Sequence, residues 1–150
     1  MSKSTDEKVT TDLIETLRDG EKGFLEAAKK LDDSPRADLA KSFREASTQR
    51  STYAKELEAL AAAYGDDIDE SGSFVATLHR GWLSLKDALA GDSIDGVVSA
   101  AATGERHAVS EYERALDADI SDNLRTVILR QQTEVVATAS MVVALDEMHS

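Results

Sequence analysis

Apolar residues recur every three or four positions along most of the chain, the spacing of helices that each bury one face. Val9, Leu13, Leu17, Phe24, Ala28 and Leu31 share such a face, and Ser4 and Glu7 stand before them in capping-box spacing. Ser34 and Pro35 then suit the N-cap and first position of a second helix, which predicts a tight antiparallel hairpin. In that helix Leu39, Phe43, Ala46, Arg50, Tyr53, Leu57, Leu60 and Tyr64 step by four and three without a slip, and one member is charged. Gly65 to Ser73 is acidic and aperiodic and predicts a loop. Val75, Leu78, Trp82, Leu85 and Leu89 mark a short helix, ended by Gly91 and Asp92. Ser93 caps a third long helix with Val97, Ala101, Glu105, Ala108, Tyr112 and Ala115 on its stripe. Ser121 caps the last, with Leu124, Ile128, Gln131, Val135, Thr138, Val142 and Leu145 inward and a frayed end at Met148 to Ser150.

The tight turns lie between the first and second long helices and between the third and fourth. Residues 65–92 separate the second from the third, enough chain to cross the length of a bundle, so those two helices can run parallel. One such crossover is the topology of ferritin-like folds. The expected fold is therefore an all-α, ferritin-like four-helix bundle with a short extra helix in the long crossover. Its 150 residues suit a single domain, 1–150.

Composition narrows the function. Only 5% of residues are aromatic, and there is one proline. The 29 acidic residues exceed the 17 basic ones, for a net charge of −12, which disfavours nucleic acid and anionic membrane surfaces as partners. The absence of cysteine excludes disulfides, thiolate metal sites and a cysteine nucleophile. With no secretory h-region at the N-terminus and no apolar run long enough to span a bilayer, the expected location is cytoplasmic.

Glu21 sits four residues after Leu17 and three before Phe24, and Glu105 repeats that placement between Ala101 and Ala108. Both fall inside apolar stripes near the middle of their helices. Counting outward from the two hairpin turns sets Ala46, flanked by Glu45 and Gln49, opposite Glu21, and Glu134 opposite Glu105. A carboxylate layer at mid-bundle is the expectation. Dinuclear iron or manganese bundles use such a layer, with a Glu from two helices and Glu-x-x-His from the other two. Glu21, Glu45, Glu105 and Glu134 are the candidate ligands here, with Gln49 and Gln131 beside them, but Glu45 is followed three residues on by Thr48 and Glu134 by Ala137. Asp146 and His149 have a similar spacing, too near the helix end to join the layer. The competing expectation is an internal ion-pair network in which Arg50 answers Glu21 or Glu105 and the glutamines complete the hydrogen bonds.

Other features carry less. Tyr53, Tyr64 and Tyr112 read as packed phenols, and His79 as a structural residue. His107, two residues after Glu105, is turned off its face. No phosphate loop, nucleophile elbow or triad pattern is present, which weighs against an enzyme. Apolar surface near Trp82 and Leu83 would serve a homodimer.

The stretch Asp12 to Phe24, the Gln49-Arg50 pair, Leu78-His79-Arg80-Gly81-Trp82, and Gly104-Glu105 leading to Ala108, Val109 and Tyr112 together resemble an uncharacterised bacterial family of ferritin-like four-helix-bundle proteins, classed under a domain of unknown function. The resemblance implies a ferritin-like bundle with a link to metal or stress biology, and no established reaction. By that resemblance Glu21 and Glu105 are carried over as candidate ligands and Arg50 as the cation of the layer. The histidine that such proteins often carry in the final helix has no counterpart in Val135 to Ser140.

Overall fold

The structure, a computed structural model, describes residues 3–63 and 93–149. They form four helices: α1, Lys3–Leu31; α2, Ala37–Ala63; α3, Ile94–Asp117; and α4, Asp122–His149. No strand occurs among the described residues. The expected loop and short helix, with Tyr64, His79, Trp82 and Leu83, lie outside them.

Local chemistry explains most helix ends. Ser93 caps α3, its hydroxyl accepting from the Gly96 amide at 3.1 Å. At α4 the Ser121 hydroxyl accepts from Leu124 N, while the Ser121 amide donates to Asp6 Oδ1 at 2.9 Å, tying the start of α4 to α1. Arg125 donates to the Leu116 and Ala118 carbonyls, satisfying acceptors where α3 ends. Three boundaries differ from expectation. α1 already includes Ser4, and α4 runs through His149. α2 begins at Ala37, two residues later than Pro35. The Ser34 hydroxyl is used by the turn instead, donating to the Leu31 carbonyl and accepting from Arg36 N.

The core is two apolar clusters stacked along the bundle. One gathers Phe24 and Leu31 from α1, Leu39 and Phe43 from α2, Val97 and Val98 from α3, and Val142 from α4. Phe24 and Phe43 pack there with ring centroids 5.3 Å apart. The other gathers Leu13, Ile14 and Leu17, Ala54 and Leu57, Ala108 and Tyr112, and Leu124, Ile128 and Val135. The C-terminal half of α1 thus meets the N-terminal halves of α2 and α3 and the C-terminal half of α4. Hence α2 and α3 run parallel to each other and antiparallel to α1 and α4. α1 packs against α2 and α3, α3 packs against α4, and of the neighbouring pairs α2 and α4 are the most loosely packed. Between the two apolar clusters lie buried polar side chains, among them Arg50, Glu105 and Gln131.

Candidate functional site

Arg50 reaches the interior because it continues the buried seam of α2 between Phe43 and Leu57. Glu105 does the same in α3, between Ala101 and Ala108. Their side chains, 1% and 0% exposed, meet across the diagonal of the bundle in a two-pronged pair. Arg50 Nη1 donates to Glu105 Oε1 and Nη2 to Oε2, both at 2.7 Å. This planar fork is the arrangement in which a guanidinium and a carboxylate bind most strongly. Arg50 Nε donates to Gln49 Oε1 at 3.2 Å, and the guanidinium carbon lies 5.4 Å from the centre of the Phe24 ring, within cation–π range.

Gly20 makes room for this group. It is buried on α1, and a Cβ built there would sit 3.5 Å from Arg50 Nη1 and 3.6 Å from Arg50 Cγ. Glycine inside a helix costs about 1 kcal/mol relative to alanine, so its place beside the buried Arg50 has a steric logic against side chains larger than alanine.

A second polar chain starts at Tyr112, two turns along α3 from Glu105. The buried Tyr112 hydroxyl donates to Gln131 Oε1 at 2.7 Å. Gln131 Nε2 donates to Glu56 Oε1 at 2.8 Å and, more weakly, to the Tyr53 carbonyl at 3.4 Å. Glu56 in turn pairs with the exposed Arg130. The chain of contacts leads from the centre of the core through the α2/α4 seam to solvent. Burial pushes the Tyr112 phenol well above its ordinary value, with Arg50 pulling more weakly the other way. The Tyr53 phenol is raised as well, by burial and then by the charge of Glu134.

The four carboxylates expected as ligands do not converge. Glu105 alone enters the layer. Glu21 is 30% exposed and accepts from Arg18 Nη1 at 2.9 Å, and Arg18 also binds Glu58. Its backbone is held by Ser47, whose hydroxyl donates to the Glu21 carbonyl at 2.8 Å. Glu45 is exposed, on an open face of α2 with Lys41, Arg44 and Thr48. Glu134 is exposed on α4. Gln49 and Gln131 do complete hydrogen bonds, Gln49 to Arg50 and Gln131 in the neighbouring chain. Of the two partners weighed for Arg50, the structure selects Glu105. The reason is rotational: 20 and 21 both continue a three-four spacing between Leu17 and Phe24, and the helix turns Gly20 inward, which places Glu21 at the α1/α2 rim.

No group of three or more His, Asp or Glu side chains among the described residues is arranged to hold a metal ion. Both oxygens of Glu105 are taken by a permanent cation, and the nearest expected co-ligands face other charges or solvent. These residues do not fit a dinuclear iron or manganese centre.

Sequence reasoning missed the inward role of Gly20, the seat of Arg50 on Phe24, and the link from Gln131 to Glu56. An interior glycine in a helix was the available signal for the first. The other two depend on which helices are neighbours.

A four-helix bundle with parallel second and third helices and a sealed ion pair between them is the class these observations define. The chain belongs to the family described as a domain of unknown function, DUF2383, which it matches over residues 7–119. The matched stretch contains Glu21, Glu45, Arg50 and Glu105 and ends before α4. No curated protein matches the chain.

Proposed function

We propose that this protein is a non-enzymatic ferritin-like bundle of the cytoplasm that acts by binding or assembly, in a stress-related role, with its charged layer serving the fold. The two-pronged Arg50–Glu105 pair carries this reading. It neutralises the fully buried Glu105 carboxylate with a cation that cannot be displaced by proton loss. A divalent ion at Glu105 would have to compete with that guanidinium. A net charge of −12 supports protein or small cationic partners over nucleic acid and anionic lipid. None of the described helices is long and apolar enough to cross a membrane. The ferritin-like and stress assignments rest on the sequence resemblance and, for the first, on the parallel α2 and α3.

The test is metal titration of the full chain with Fe(II), Mn(II) and Zn(II), followed by elemental analysis and thermal melting. The expected result is substoichiometric metal and an unshifted melting curve. About two ions per chain, lost in Glu21→Ala, would overturn the reading; that residue lies at the surface, so its loss leaves the core intact.

A further inference from the structure

The helices on the Phe24 side of the ion pair are not all fixed to one another in the same way. α1 and α2 share large side chains there, Phe24 and Leu31 from one and Leu39 and Phe43 from the other, and the two phenyl rings pack together. α3 meets this hairpin with much smaller ones. Its buried residues ahead of Glu105 are Val97, Val98, the alanine run 100–102 and Gly104. Successive helical residues point about 100° apart, so three buried alanines in a row make an inward face about 200° wide. Turning α3 within that face exchanges one methyl group for another, and surfaces of this kind do not interdigitate in a single setting. Apolar cores whose shapes are loosely defined lose uniqueness before they lose stability.

The Arg50–Glu105 pair supplies the missing direction. Its two prongs, both 2.7 Å, hold the guanidinium and the carboxylate side by side and at one height. Arg50 is itself seated against α1, with the Phe24 ring at 5.4 Å and Gly20 beside it. One side chain of α2 thus meets α1 and α3 together.

We propose that this pair is the device that sets α3 against the α1–α2 hairpin, selecting one rotation and height among those the alanine face accepts while adding little net stability. The attraction within a buried ion pair is largely offset by the cost of taking both charges out of water, and a well-packed apolar replacement is often as stable. Its direction has no apolar equivalent, because burial of apolar surface is non-directional. This role rests on the charged layer serving the fold, and its test involves no metal, so the two readings can fail separately.

Amide NMR and amide exchange of the full chain test the proposal, with helical content from circular dichroism. Wild type should give one set of sharp signals. The double change Arg50→Met with Glu105→Leu should keep the helical content and a urea midpoint close to wild type. It should nonetheless broaden or double the α3 signals from Ala100 to Gly104 and speed their exchange about tenfold. The signals of the α1–α2 turn, at Asp32 and Ser34, should stay sharp. Arg50→Lys keeps both charges without the fork and should broaden the same α3 signals; it decides the question if the double variant does not fold. Ile128→Val, a core change on α4 away from the pair, lowers stability and should leave one sharp set. One sharp set in the double variant, or in Arg50→Lys where the double variant does not fold, would overturn the proposal. So would broadening of all four helices alike, or the same α3 broadening in Ile128→Val.

Discussion

The Arg50–Glu105 pair and the Tyr112–Gln131–Glu56–Arg130 chain solve one problem in opposite ways. Both place polar groups in the middle of a hydrophobic core, where an unpaired polar group costs several kcal/mol. The ion pair is sealed: neither side chain reaches solvent, and each charge depends on the other. The second chain is graded, from a buried neutral phenol through a buried amide to a half-exposed carboxylate and an exposed guanidinium. Its charges sit where water can take over if a link is lost. The packing explains the difference. The ion pair joins diagonal helices through the centre, whereas the chain runs out through the seam between the loosely packed neighbours α2 and α4.

Breaking the sealed pair should have the largest effect. Arg50→Met strands a buried carboxylate and should cost about 3–5 kcal/mol in urea unfolding. The double change Arg50→Met with Glu105→Leu removes both charges and should recover most of that loss. A double variant no more stable than the single one would show that the pair is not the source of the cost.

The inner link of the graded chain should matter less. Gln131→Leu leaves the Tyr112 hydroxyl without its acceptor and should cost about 1–3 kcal/mol. Alkaline pH probes the same group. Burial holds the folded phenol neutral above its unfolded value of about 10, so above that pH only the unfolded state releases the proton. Stability should then fall by about 1 kcal/mol per pH unit from this residue. Tyr112→Phe should show a correspondingly shallower decline in unfolding measured between pH 9 and pH 11.

At the outer link, Arg130→Ala should cost less than about 1 kcal/mol, and the difference should shrink in high salt. A loss as large as that of Gln131→Leu would mean the chain acts as one unit. Gly20→Ala is the mildest change. The new methyl group would sit at ordinary contact distance from Arg50, and alanine favours the helix, so stability should hold or rise by up to about 1 kcal/mol. Gly20→Leu has no such space and should destabilise.

Much of this architecture could be read from periodicity. Phe24, Phe43, Leu57, Val97, Ile128 and Val142 were all on predicted inward faces and are buried. The caps at Ser93 and Ser121 form as expected because they depend on neighbours three residues away. The candidate site was legible only in part. That Arg50 and Glu105 are core residues followed from their seams, but Glu21 satisfied the same spacing and is at the rim. Helical spacing leaves an uncertainty of a fraction of a turn, and between adjacent positions 20 and 21 that fraction decides between burial and exposure. Glu45 and Glu134 were placed by counting from the turns, which gives height along the bundle and no information on which way a helix is rotated.

The amino-acid sequence by itself therefore determined the helices, their caps, the apolar stripes and the presence of charge in the second and third seams, because all of these arise from contacts a few residues apart. Only the tertiary structure decided that Glu105 answers Arg50, that Gly20 yields the space, and that Gln131 leads outward to Glu56. Those outcomes depend on the rotation of each helix about its axis and on which helices lie diagonal, and both are set by the packing of all four helices at once.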